Sequence, residues 1–322
     1  MREAQFKKQN TSKWLEFEKE ISKDVKTNPD KLADLFVQLT DDLSYARSNY
    51  PDSQTTLFLN NLTAKVHQSI YRNKKESKSR FLTFWSIELP SLFYSCHKQL
   101  LYSFIIFSLS LIIGVVSSAN EEDFPRLILG DSYVNMTIDN IKKGDPMGVY
   151  KDNGEMEMFY FIPLHNIQVM GMSFIAGILS MTWYFLFQNG VMVGTFQYFF
   201  YKYGLLGTSA LSIWIHGTLE ISCLILGGCA GLVMGNSILF PGTYSRMESF
   251  KSGAKKGLKI AIGITPLLVV AGFLESFVTR HTEMPTFFKL SIIILSAIFI
   301  IWYFIIYPIQ LNRNNAIEAG AN

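Results

Sequence analysis

Charge is scarce in this chain: 17% of its 322 residues are Asp, Glu, Lys or Arg, against 49% hydrophobic, with 26 Phe, 15 Tyr and 5 Trp. The apolar residues gather after residue 98, which excludes a single soluble core and implies a polytopic membrane protein with a soluble front end. Cysteine is scarcer still. Cys96, Cys223 and Cys229 form no CxxC pair and no Cys/His metal spacing, so a disulfide scaffold is excluded and small packing roles are expected. A phosphate-binding glycine loop is missing from the first 97 residues, and their net charge of +3 reads as a solvated surface beside an anionic leaflet, with no nucleic-acid partner. Those residues are also too polar to begin with a cleavable signal peptide, so the segment from Leu100 is expected to act as its own insertion signal.

A hydrocarbon core of about 30 Å needs roughly 20 apolar residues in helix. Segments near that length stand at 100–117, 167–187, 211–239, 260–278 and 288–308, and the shorter, glycine-interrupted 190–206 is a sixth. Lys and Arg set the orientation. Residues 1–97 carry 15 of them and residues 240–259 carry five beside the single Glu248, whereas residues 118–165 carry four against nine Asp and Glu. The expectation is an all-α polytopic protein of about six transmembrane helices in a bacterial inner membrane. Both termini would face the cytoplasm and an acidic loop at 118–165 would lie outside. The parts are a cytoplasmic helical domain at 1–79, an interfacial helix at 80–98, a transmembrane domain at 99–309 and a tail at 310–322.

In the front end, apolar residues recur with helical spacing at Trp14, Phe17, Ile21 and Val25, at Leu32, Leu35, Leu39, Leu43 and Ala46, and at Leu59, Leu62, Val66 and Ile70. Asn28-Pro29 and Tyr50-Pro51 separate three helices, and a polar link follows from Asn73 to Ser79. Residues 80–97 place Phe81, Phe84, Trp85, Leu89, Leu92 and Phe93 beside Arg80, Glu88 and His97, the pattern of an elbow helix in the inner headgroup region, bent at Pro90.

Ionisable side chains inside membrane-grade sequence are costly and mark functional positions. His216 and Glu220 lie four apart on one helical face, and Glu275 approaches from the next segment with Arg280 just beyond it. His165 and Asn166 are expected to open the second span at the same outer level. A zinc protease helix would read HExxH; HxxxE without a second His nearby does not, so neither metal nor cofactor is expected, and no nucleophile with a matching base stands out. Two readings remain open: a buried network that fixes helix register, or a site for a ligand, lipid or proton.

Gly227, Gly231 and Gly235 repeat every four residues inward of Glu220, and Gly190 and Gly194 repeat the spacing. Such residues permit close helix approach, within the chain or as a homodimer seam. Asn189-Gly190 reads as a cytoplasmic turn, and Phe240-Pro241-Gly242 as the end of the next span, with Arg246 following.

Asn189-Gly190, His216-Gly217-x-x-Glu220, the glycine run from Gly227 to Gly235, Pro241-Gly242 with Arg246, and Ala271-Gly272-Phe273-x-Glu275-Ser276-Phe277-Val278-Thr279 occur in that order. This series resembles the stage II sporulation protein M family of bacterial membrane proteins over about residues 80–308. The resemblance implies a non-enzymatic membrane component or scaffold of a cell-envelope system, similar to a namesake that partners peptidoglycan-degrading proteins. It also implies membrane lipids and other envelope proteins as partners, with MoxR-type ATPases and von Willebrand-domain proteins among them. The 97-residue front end and the large acidic loop distinguish this chain from the namesake. A transporter or lipid-handling protein using the His/Glu site is the rival expectation. A cavity reaching the cluster would favour that rival, and a closed His-Glu network would favour the scaffold.

Overall fold

The computed structural model of the protein describes residues 2–22, 29–71, 79–150 and 154–320; Val25, Asn28 and positions 73–78 of the polar link lie outside them. The described residues are helical, without strands, and their contacts separate Met1–Arg80 from Phe81–Asn322.

The first unit holds α1 (Glu3–Ser22), α2 (Pro29–Asn49) and α3 (Gln54–Tyr71). Pro29 opens α2, where its missing N–H costs nothing. Trp14 and Phe17, then Leu35, Leu39, Leu43 and Ala46, then Leu59, Leu62 and Val66 close into one core with Phe6. A buried indole needs an acceptor. Trp14 Nε1 donates to Asp42 Oδ2 at 2.8 Å, and Lys13 pairs with the same carboxylate at 2.5 Å.

The elbow region comprises α4 (Ser79–Thr83), within which the two units divide, a π-helical turn (Phe84–Glu88) and α5 (Leu89–Ser95), before α6 (His97–Asn120). Leu89 and Phe93 are buried against Ile260, Ile264, Leu268 and Phe304. Pro90 stands at the start of α5, directly after the π turn, and the backbone leaves helical geometry at Cys96 (φ −109°, ψ 19°). Proline has no N–H for the carbonyls of Ser86 or Trp85, four and five residues back. Those two carbonyls accept from Tyr307 Oη at 2.8 Å and Tyr303 Oη at 2.5 Å, which ties the elbow to the far end of the chain.

The loop expected to lie outside carries two helices, α7 (Phe124–Leu129) and α8 (Asp131–Lys142). The remaining helices are α9 (Glu155–Ile175, prolonged by a 3₁₀ turn to Leu179), α10 (Thr182–Lys202), α11 (Leu206–Leu239), α12 (Arg246–Phe273, prolonged by a π turn to Thr279), α13 (Thr286–Ile301) and α14 (Tyr307–Gly320). Five segments are long and apolar enough to cross a membrane: 97–120, 155–179, 206–239, 246–279 and 286–314. The helix α10, whose 21 residues reach about 32 Å, has the length for the expected sixth crossing but includes Gln188, Asn189 and Gln197 and is not among those five.

Residue registers give the directions. Phe107 meets Gly190 and Leu111 meets Gly194, so α6 and α10 run parallel. Met170 meets Gly227 and Gly177 meets Gly231, so α9 and α11 run parallel. Ser103 donates to the Ile225 carbonyl while Cys96 meets Cys229, so α6 and α11 are antiparallel. Gly257 lies at Ala230 while Cys223 reaches Ile264, so α11 and α12 are antiparallel too. At its far end α10 carries Phe199 and Phe200 against Val134 and Met147 of the loop after α6, and Lys202 pairs with Glu122 at 3.2 Å. It therefore reaches the same side as the end of α6.

Three sequence expectations change. The turn between the second and third spans lies at Ser180, in the left-handed region (φ 56°), and not at Asn189-Gly190. Gly190 sits inside α10, where a methyl group would lie 2.6 Å from Ser110 Cβ and 2.7 Å from the Phe107 carbonyl oxygen; Asn-Gly here serves close packing and not a turn. The segments 167–187 and 190–206 become 155–179 and 182–202, and the loop shrinks accordingly. Finally, the glycine repeat is covered from within. Gly231 packs on Ser173, Gly177 and Thr182, and Gly235 on Gly177, so this face is not open to a second copy.

Candidate functional site

Three elements bring the polar residues together. His216 and Glu220 are the eleventh and fifteenth residues of α11, one turn apart on one face. Glu275 projects from the π turn Leu274–Thr279, an irregularity of the kind that often re-aims side chains at functional sites. His165 and Asn166 belong to α9. They do not open that helix as expected, because it begins ten residues earlier, at Glu155.

One nitrogen of His216 and one oxygen each from Glu220 and Glu275 all lie within 4.8 Å of one another. His216 is 4% exposed. Its Nδ1 lies 2.9 Å from Thr279 Oγ1, and the Thr279 hydroxyl donates its single proton to the Leu274 carbonyl at 3.1 Å. In the tautomer in which Nδ1–H donates to Thr279, Nε2 presents its lone pair towards Glu275 Oε2, 3.9 Å away. Arg280 pairs with Glu155 in the first turn of α9 at 3.5 Å, and among the described residues no ion pair joins it to Glu220 or Glu275.

A cavity of about 600 Å³ opens onto the two carboxylates. Glu220, Glu275, His165, Asn166 and Gln168 line it together with Phe161 and Leu164, which are 67% and 64% exposed on the apolar flank of the bundle. His216 stands behind the carboxylates and not on the wall. Asn166 Nδ2 is buried without a hydrogen-bond partner among the described residues. Sequence reading quoted Thr279 as the end of a motif but gave it no role, and it missed the π turn. Thr279 ends the Ser276-Phe277-Val278-Thr279 stretch, but a threonine in an apolar run carries no signal of its own.

Pro241 and Gly242, between α11 and α12, and Arg246, the first residue of α12, lie elsewhere. Gly242 takes φ 63° and Ser245 caps α12 by accepting from the Glu248 N–H at 3.3 Å. A second cavity of about 610 Å³ at that end is lined by Cys96, Asn236, Glu248 and Lys256 among others, and is not part of the cluster.

Comparison with protein families matches residues 103–280, the stretch that carries this cluster and most of the helices around it, to stage II sporulation protein M. The chain belongs to that family. The elbow and the last span fall outside the matched stretch, although the sequence resemblance extends to them. Residues 4–72 of this family member match a domain of unknown function (DUF8413), which coincides with the three-helix unit. No curated protein and no solved structure matched the chain.

Proposed function

We propose that this family member is a non-catalytic component of the bacterial cell envelope, of the transport or lipid-handling kind, whose Glu220 and Glu275 receive a ligand. The observation that carries the reading is the cavity on the flank of the bundle, walled by two carboxylates and by exposed Phe161 and Leu164. A carboxylate pair kept only to fix helix register would be closed over, since an open low-dielectric flank leaves it poorly compensated. The ligand would approach through an apolar mouth and be held by groups that accept hydrogen bonds or bind cations. In the orientation favoured by the Lys and Arg distribution, the site belongs to the outer half of the inner membrane and both termini face the cytoplasm. The N-terminal helices and the 246–259 face, with Arg246, Lys251, Lys255 and Lys256, would then be available to soluble partners such as MoxR-type ATPases or von Willebrand-domain proteins.

A scaffold role has its own support in the His216–Thr279–Leu274 chain of hydrogen bonds, which pins α11 to α12. Glu220→Gln separates the two. It keeps the shape and the capacity to hydrogen bond but removes the charge, so under ligand binding the variant keeps the thermal stability of the parent yet fails to complement a deletion strain. A stable, fully complementing Glu220→Gln protein would leave the scaffold role.

A further inference from the structure

We infer that His216, Glu220 and Glu275 form a binding site for a divalent first-row metal cation, with its remaining coordination position facing the flank cavity. The inference rests on reading Glu220 and Glu275 as a ligand site, and it names the ligand.

The sequence spacing HxxxE supplies two donors and lacks a third; the fold supplies it from α12. Three points no more than 4.8 Å apart share a centre within about 2.8 Å of each, against 2.0–2.2 Å for zinc bound to imidazole nitrogen or carboxylate oxygen. Small side-chain rotations close that gap. The Thr279 hydrogen bond holds His216 by Nδ1 and aims the Nε2 lone pair inward, the arrangement in which an outer-shell partner orients a metal-binding imidazole. Glu220, lining the cavity, has no hydrogen bond or ion pair among the described residues. An imidazole lone pair and two ionised carboxylates aimed at one point repel each other, and protonation or a bound cation relieves that repulsion. One proton can bridge only two of the three acceptors, whereas a divalent ion satisfies all of them.

One nitrogen and two oxygens make a hard-to-borderline donor set, suited to zinc, manganese or ferrous iron and not to copper(I). Three protein ligands with an open position is also the pattern of sites that exchange or present a further ligand, as opposed to closed structural zinc sites. That position faces Asn166, whose unpartnered Nδ2 can donate to an oxygen of whatever completes the coordination.

The test uses the full chain in detergent or nanodiscs, purified through a tag without histidine, with zinc alone as probe. Metal content by mass spectrometry should approach one zinc per chain, and zinc should raise the thermal midpoint. Glu275→Gln and Glu220→Gln should each lower zinc affinity more than 100-fold. Thr279→Val, which touches no metal, should lower it about 10- to 100-fold by releasing His216. His97→Ala, at the start of α6 and outside both the cluster and the cavity wall, should keep the parent affinity. Cobalt substituted for zinc should give visible ligand-field bands that disappear in Glu275→Gln. A folded parent chain that binds no zinc, manganese or iron in the micromolar range overturns the metal site, as does equal zinc binding by parent and Glu220→Gln. If zinc binding fails while Glu220→Gln still folds and still loses complementation, the metal inference falls and the ligand site stands.

Discussion

At the residue scale, the chemistry of the site was partly legible. His216, Glu220 and Glu275 declare themselves because ionisable groups in apolar segments need a reason to be there. Arg280 misled for the same reason: charge and adjacency suggested a partner for the cluster, but it pairs with Glu155, brought alongside by an α9 longer than its hydropathy implied. Glycines carry the next signal, and their meaning depends on what faces them. A methyl group at Gly231 would lie 2.3 Å from Thr182 Oγ1 and 2.6 Å from the Ser173 carbonyl oxygen, disturbing the hydrogen bond between those two. Gly231→Ala should therefore destabilise by about 1–3 kcal/mol. Gly171, in α9, has nothing within 4 Å of the same position, so Gly171→Ala should be neutral or stabilising by up to about 1 kcal/mol. Chemical or thermal unfolding in one detergent compares the two, and equal effects would contradict the packing assigned to the α9–α11 seam.

At the element scale, helix existence was legible and helix boundaries were less so. Periodicity marks α1 to α3 because each buries one face in a small core. Among the spans, the largely apolar stretch from 167 to 206 offered Asn189-Gly190 as its strong turn signal; the chain turns at Ser180, which no residue type announces. The elbow shows a second limit. Pro90 signalled a bend but not the π turn before it, and the orphaned carbonyls of Trp85 and Ser86 are satisfied by hydroxyls more than 200 positions away. Tyr303→Phe should cost about 1 kcal/mol by removing a donor from the Trp85 carbonyl, with a further loss in the double variant Tyr303→Phe/Tyr307→Phe. Midpoints of thermal unfolding in detergent check this, and a double variant as stable as the parent would contradict the anchoring role given to these tyrosines.

At the scale of the whole molecule, composition alone separated a polar helical front end from a membrane-grade remainder. The alternation of helix directions, read from α6 through α12, gives each crossing its sense. Which side is which follows from Lys and Arg. With the N-terminus inside, cysteines placed by Asp145→Cys and Ser252→Cys, in a background without the native thiols, should label from opposite faces in intact cells; outside labelling at 252 would overturn that orientation. The central claim is that Glu220 and Glu275 can be reached through the flank of the bundle. A hydrophobic carbodiimide, which couples to carboxyl groups accessible from lipid, tests it most directly when adducts are mapped by peptide mass spectrometry in native membranes from acid to neutral pH. Expected is an adduct on Glu220 or Glu275, lost in the double variant Glu220→Gln/Glu275→Gln and suppressed when the mouth is filled by Leu164→Trp. Absence of any adduct on either residue across that pH range would contradict an open site.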